Sequence, residues 1–325
     1  RIYRIFRKIG KVKSFQDILD NFFEPIFAAT LEPEKHPELA RLLTEISGFD
    51  SVDDESINES QDFEYDVKPS DWTSLDSPSY VIKCITHSYI TPNTNASTQQ
   101  ISNRYAYQLY YFYANTVVLN RLRESRGMNT FELRPHCGEA GNVLHLAVSY
   151  LLSQGVNHGI RLGDQPALQY LYYIDQIGIA VSPISNNFLF LRFADSPFFK
   201  FFKRGLNVSL STDDPLLFHM SDDPLLEEYA VARQVWNLSV PDVCEICRNS
   251  VIQSGYPDRV KAEWLGPLYH EHMSINLNIS PKDMIRSYYP SRTNVPMIRA
   301  HYRCEQLQNE VDFLNSCFRI LLFST

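Results

Sequence analysis

Two short stretches of the chain carry residue types that could do chemistry together. In the first, Arg134-Pro135-His136-Cys137-Gly138-Glu139-Ala140-Gly141, a histidine and a glutamate stand three residues apart among glycines. In the second, Ser209-Leu210-Ser211-Thr212-Asp213-Asp214-Pro215, two adjacent carboxylates precede a proline. Imidazole and carboxylate are both ligands of zinc, and catalytic zinc sites keep a position for water. His136 with Asp213 therefore suits a zinc that activates water, and Glu139 can move a proton beside it.

These residues need elements that present them. Thr130-Phe131-Glu132-Leu133 is a short β-prone run that delivers His136 and Glu139 to a glycine-punctuated turn opening a helix from Asn142. The run Leu206 to Leu210 likewise delivers Asp213 and Asp214. Around them short apolar runs alternate with helical segments: strand to Arg134, helix Asn142 to Ser153, strand Gly159 to Leu162, helix Pro166 to Ile177, strand Ile179 to Ser182, helix Phe193 to Lys203, strand Asn207 to Ser211. That alternation predicts a parallel α/β sheet. Polar residues gather at the strands' C-terminal ends (His136, Glu139, His158, Ser182 to Asn187, Asp213, Asp214), the face on which a TIM-type (β/α)8 barrel keeps its active site. No Gly-x-Gly-x-x-Gly turn supports a doubly wound alternative.

Upstream, Ser14 to Ala28 and Glu38 to Glu45 are predicted helices, and Ile46 to Val52 a strand entering an acidic loop. Glu59 to Ser79 reads as a surface loop, and Val81 to Arg104, with its polar Thr91 to Gln100 core, as a disordered insertion. Tyr105 to Arg126 is predicted to be an aromatic-rich helix with a buried face, ended by Gly127. Downstream, Leu225 to Trp236 and Val240 to Ser250 are outer helices, then a less regular tail. The expected division is one barrel domain over 1–310 and a tail over 311–325. His145 and His219 read as packing or supporting residues, Glu227-Glu228 as a solvated helix face, and Cys244-Glu245-Ile246-Cys247 as core packing.

The 325 residues, 44% of them hydrophobic, can bury a sizeable core. A formal net charge of -8 argues against nucleic acid as a partner and for a small substrate. Six cysteines scattered through a long chain fit reduced thiols in the cytosol. No continuous apolar run has signal or membrane-spanning length, so no membrane association is expected.

The motifs His136-Cys137-Gly138-Glu139-Ala140-Gly141, His158-Gly159 and Ser211-Thr212-Asp213-Asp214-Pro215 resemble the adenosine/AMP deaminase superfamily of metal-dependent TIM-barrel enzymes. Gly48 to Ser56 and Ser182 to Asn187 look like the AMP deaminase branch in particular, and the Gly48 to Ser56 stretch argues against the adenosine deaminase alternative. The resemblance covers about residues 1–80 and 105–310. It implies that His136 and Asp213 are zinc ligands, that Glu139 protonates the purine ring nitrogen, and that His158 orients the attacking water. Asp214, Pro215, Leu216 and Leu217 match the substrate-contacting turn. The implied reaction converts AMP to IMP and ammonia, in a homo-oligomer for which the family expectation is a tetramer.

The chain also departs from the family pattern. Members carry a His-x-His pair at the end of the first barrel strand and a Lys-Tyr-Asn-Pro-type segment soon after, and neither stands upstream of His136. The His-x-His at His270-Glu271-His272 follows Trp264 to Tyr269, which is not a strand, and reads as an exposed loop. With five strands counted where a barrel needs eight, and with Arg1 to Phe6 opening as if inside an element, the expectation is the C-terminal part of a deaminase with its first strands missing. Such a chain should be inactive and hold no stoichiometric zinc by itself. A non-catalytic subunit pairing with full-length partners is the alternative.

Overall fold

The structure, a computed structural model, describes residues 11–52, 55, 68–72, 103–189, 191–266, 269 and 297–323. It forms two compact units, Arg1–Gln154 and Gly155–Thr325. Of the predicted insertion Val81 to Arg104, residues 81–102 lie outside the described residues while Asn103 and Arg104 are helical, and the His-x-His at 270–272 also lies outside them.

In the first unit α1 (Phe15–Leu31) starts where Ser14 accepts the Asp17 N–H at 3.2 Å and Asp17 accepts the Ser14 N–H at 3.2 Å. This reciprocal cap satisfies two backbone donors that no helical carbonyl can reach. The Lys13 N–H on the same carboxylate, at 2.7 Å, is the main cause holding Asp17 below its ordinary pKa. Phe15, Leu19, Phe23 and Ile26 fall on one face of α1 and are buried. They meet the aromatic face of α3 (Asn103–Ser125), which the sequence predicts to be buried: Phe15 lies 5.9 Å from Tyr107, and Phe23 5.7 Å from Phe112. Trp72 falls in the stretch read as a surface loop but is buried, 5.0 Å from Phe15. Its carbonyl accepts the Phe15 N–H at 3.0 Å, so Trp72 closes the core rather than facing solvent. After α2 (Pro37–Glu45), β1 (Gly48–Phe49) runs parallel to β2 (Glu132–Leu133), with Gly48 opposite Glu132.

In the second unit β4 (Gly155–His158), β5 (Gly178–Val181) and β6 (Val208–Leu210) form a parallel ladder with Val156 opposite Ile179 and Val181 opposite Leu210. Every residue of β6 is buried, as in a sheet covered on both faces. The helices α5 (Pro166–Asp175) and α7 (Phe198–Arg204) stand between these strands in the chain. The protein is thus α/β with parallel strands, of the TIM-barrel kind, and with β3 (His136–Cys137) it has six strands among the described residues, short of a closed barrel's eight.

Several elements differ from the sequence reading. The predicted strand Gly159 to Leu162 is a 3₁₀ turn at Ile160–Asp164, and the strand lies just before it, because His158 (φ 70°) and Gly159 (φ 62°) both turn left-handed. The predicted helix Phe193 to Lys203 is broken. Pro197 forces Ser196 to remain extended, so only Phe198–Arg204 is α-helical. Of Ser182 to Asn187, only Ser182 precedes α6 (Pro183–Leu189), and the other five residues lie within it. The irregular tail is instead the long helix α12 (Met297–Phe323), held to α5 by Arg303 donating to the Ile174 carbonyl at 2.8 Å and by Tyr170 donating to Glu310 at 3.0 Å. Between them lie α8 (Pro215–Phe218), α9 (Pro224–Trp236), α10 (Val240–Gln253) and α11 (Asp258–Leu265). Cys244 and Cys247 are exposed on α10, and Ile246 between them makes the core contact.

Candidate active site

The predicted residues divide between the two units. In the first, β3 brings out His136, whose N–H is bound by the Ser51 carbonyl at 2.8 Å and by Asp50 Oδ1 at 3.1 Å. The same Asp50 oxygen meets His136 Nδ1 at 3.0 Å. A neutral imidazole that donates Nδ1–H to a carboxylate carries its lone pair on Nε2, the arrangement found in metal-binding histidines. Tyr105 fixes the strand from the other side, its hydroxyl donating to the His136 carbonyl at 2.9 Å.

The turn bearing Glu139 is held by a second carboxylate. Glu55 accepts the Gly138 N–H at 2.7 Å and reaches the Glu139 N–H at 3.5 Å. It also meets Nδ1 of His145, whose ring, from α4 (Leu144–Leu152), stacks on Tyr105 at 4.3 Å. His145 thus supports the turn. Cys137 between them is fully buried, and burial, reinforced by Glu55, pushes its thiol far up, which keeps it protonated and out of a ligand set.

Gly141 makes this packing possible. Its φ is +67°, and a Cβ there would stand 1.9 Å from the Glu55 carbonyl oxygen. Gly141→Ala is expected to lower stability by about 2 kcal/mol or more and to displace Glu55, which a denaturation midpoint with native m-value would report. An unchanged midpoint would refute it.

In the second unit β4 ends on His158, 1% exposed. Asn186 on α6 donates from Nδ2 to His158 Nδ1 at 2.9 Å. That amide orientation assigns the imidazole proton to Nε2, which faces Asp213 Oδ2 at 3.9 Å. Asp213, itself left-handed at φ 56°, accepts a hydrogen bond from the Ser185 hydroxyl at the same oxygen. Structure therefore brings His158 and Asp213 together. Asp214 stands at the N-cap position of α8 without a side-chain capping bond, and it, Pro215, Leu216 and Leu217 are exposed in the turn, with Leu216 fully so.

Glu228 is not on a solvated face. It is fully buried on α9, with His219 Nε2 at 3.0 Å from Oε1 and the Ile184 N–H donating to Oε2 at 3.2 Å. Its neighbour Glu227 takes the outer position and accepts the Ser221 N–H at 2.6 Å. Burial pushes Glu228 up to about 7 from a usual 4.5, against the pull of Ile184 and His219 and with a further push from Asp213. A carboxyl whose folded pKa lies above its unfolded one contributes stability that is complete below the unfolded value and is lost as pH rises through the folded one. Stability is expected to fall by on the order of 2 kcal/mol between about pH 4.5 and pH 7 on this account, and Glu228→Gln should flatten that segment of a stability-pH curve. An identical slope in the variant would exclude Glu228 as the titrating group.

Asp50, Glu55, Ser185, Asn186 and Glu228 were not singled out individually by the sequence. Asp50 and Glu55 lie inside Gly48 to Ser56, and Ser185 and Asn186 inside Ser182 to Asn187, so the motifs held them without assigning a task. Glu228 could have been found from its spacing, because Ala232, four residues on, is also fully buried on the same helix face.

The family described as AMP deaminase matches residues 1–90 and 83–320. The chain belongs to the AMP deaminase family. The AMP deaminase of Saccharomyces cerevisiae is 45% identical over 97% of this chain and 34% of its own length. That of Schizosaccharomyces pombe is 46% identical over 97% of this chain and 33% of its own, and AMP deaminase 1 of Mus musculus 43% over 97% and 37%. The chain spans about a third of the length of these relatives. Among solved structures, adenine deaminase from Arthrobacter aurescens is 24% identical, with a TM-score of 0.39 and 47% of each chain covered. Within this AMP deaminase family member, no helix among the described residues is long and apolar enough to cross a membrane.

Proposed function

We propose that this chain supplies the proton-transfer, water-orienting and two of the metal-ligating residues of a zinc-dependent, cytosolic AMP deaminase. The observation that carries the reading is the identity of 43 to 46% with proteins named AMP deaminase over 97% of the chain. The donor types fit the metal: His136 is oriented through Nδ1 by Asp50, and Asp213 keeps one carboxylate oxygen engaged by Ser185. His136 and Asp213 would hold zinc, which when bound lowers the pKa of water towards neutrality.

The chain's own groups then have distinct tasks. His158 is fixed by Asn186 and presents its Nε2 proton, so it orients the attacking water at purine C6. Glu139, on the turn held by Glu55, donates a proton to the ring nitrogen as the C–O bond forms. Breaking the C6–N bond releases ammonia and leaves IMP. Asp214, Pro215, Leu216 and Leu217 form the exposed turn that contacts the nucleotide, and the protein works as a homo-oligomer. The intact protein, given equal concentrations of AMP and adenosine, should form IMP faster than inosine and hold one zinc per chain. Faster deamination of adenosine would defeat the AMP assignment.

A further inference from the structure

The buried Glu228 has a place in the architecture that goes beyond the ligand and acid roles above. Its carboxylate is tied to two segments that carry the second unit's candidate residues. On one side it accepts the N–H of Ile184, in the first turn of α6. The first four amides of a helix have no helical carbonyl to bind, so an external acceptor decides how the turn is held. The next two residues of that turn are Ser185, which donates to Asp213, and Asn186, which donates to His158. On the other side Glu228 meets His219, the residue that ends α8 and so closes the turn begun at Asp213 and Asp214. The side chains of Glu228 and His219 are both fully buried, and His158, Ser185 and Asn186 are 2% exposed or less.

We propose that Glu228 is a positioning residue for the deaminase site, fixing the α6 turn and the Asp213–His219 turn against each other so that Ser185 and Asn186 hold Asp213 and His158 in single orientations. The proposal rests on the reading of His158 and Asp213 given above. A carboxylate with no solvent contact would leave the Ile184 N–H and His219 without their acceptor if truncated, and the cost of a buried unpaired polar group favours rearrangement of the segments that carry it. The rearrangement would fall first on Ser185 and Asn186.

The experiment is imidazole ¹⁵N spectroscopy of the full chain with Glu228→Ala and Glu228→Gln, alongside kinetics of the intact enzyme. The wild type should show His158 as one neutral tautomer with its proton on Nε2. Glu228→Ala should convert that signal to an exchange-averaged pattern, while Glu228→Gln, whose amide oxygen can still accept from Ile184, keeps it. In the intact enzyme Glu228→Ala should lower kcat by roughly 10–100-fold, the range seen for residues that orient ligand groups, with KM within about twofold of wild type. A His158 pattern unchanged in Glu228→Ala overturns the proposal. Should that variant not fold, Glu228→Asp decides, because it is one methylene short of spanning both partners: retained wild-type exchange protection at Ile184 with an unchanged His158 signal overturns it too. If the spectra behave as expected while the intact protein leaves AMP unconverted, the functional reading fails and the positioning role stands.

Discussion

Glu139→Gln is expected to lower AMP turnover by the intact enzyme roughly 10²- to 10⁴-fold, the range lost when a positioned general acid is removed. Glutamine is nearly isosteric with glutamate and keeps a hydrogen-bonding amide, but it has no carboxyl proton to give. The backbone should not move, because the turn is held from outside it: Glu55 binds the Gly138 and Glu139 N–H groups, and His145 and Tyr105 support Glu55 and the His136 carbonyl. Zinc content should therefore stay at the wild-type level and KM should change little, placing the loss in kcat. Steady-state kinetics with metal analysis of the same sample tests this. Near-normal turnover would remove Glu139 from the reaction, and loss of zinc with activity would make its role structural instead.

The parts of this protein legible in its sequence are those where local chemistry and the hydrophobic pattern agree. Ser14 and Asp17 with apolar residues at helical spacing wrote α1, and Ile179 and Val181, which are buried along β5, marked that strand. The misplaced strand has a physical reason. Gly155-Val156-Asn157-His158 has a single apolar side chain, because the strand starts against the Gly178 backbone and ends on a buried histidine, whereas Ile160 and Leu162 alternate like a strand while lying in a 3₁₀ turn. Functional strand ends are polar, so a hydrophobic pattern slides off them.

The site was legible in kind and not in support. His158 and Asp213 are paired in space, as a set of matched motifs implies, yet the residues that orient them are ordinary polar side chains whose task is visible only through their partners. Asn186 could as well have faced solvent, and the acidic pair Glu227-Glu228 reads as solvated until α9 turns one of its members 100° inward. Pair spacing along a chain says nothing about which of two adjacent identical residues is buried. The helix face does, and it is fixed by Ala232 rather than by either glutamate.

Arg123 carries the largest stability effect expected in the first unit. It is 2% exposed on α3, and its guanidinium donates to the Asn129 carbonyl at 2.6 Å, to Asn129 Oδ1 at 2.8 Å and to Thr30 Oγ1 at 3.0 Å, over the Phe131 ring at 4.6 Å. Burial lowers its pKa, which fits a cation held by neutral oxygens and an aromatic face in these contacts. Asn129 passes the connection on, its amide donating to the Leu43 carbonyl at 2.9 Å and the Ile46 carbonyl at 3.0 Å, at the end of α2 and the approach to β1. One side chain thus joins α1, α3 and the α2–β1 junction. Arg123→Ala would strand buried acceptors and open a cavity beside Phe131, so it should cost on the order of 3–5 kcal/mol, a third or more of a typical domain's stability. Arg123→Lys, which can satisfy only part of the fork, should fall between the two. The measurement is urea unfolding with amide exchange at Glu132 and Arg134, whose N–H groups bind the Ser47 and Phe49 carbonyls and so report whether β1 stays paired to β2. Wild-type protection at both amides together with an unchanged unfolding midpoint in Arg123→Ala would show that the junction is held without it.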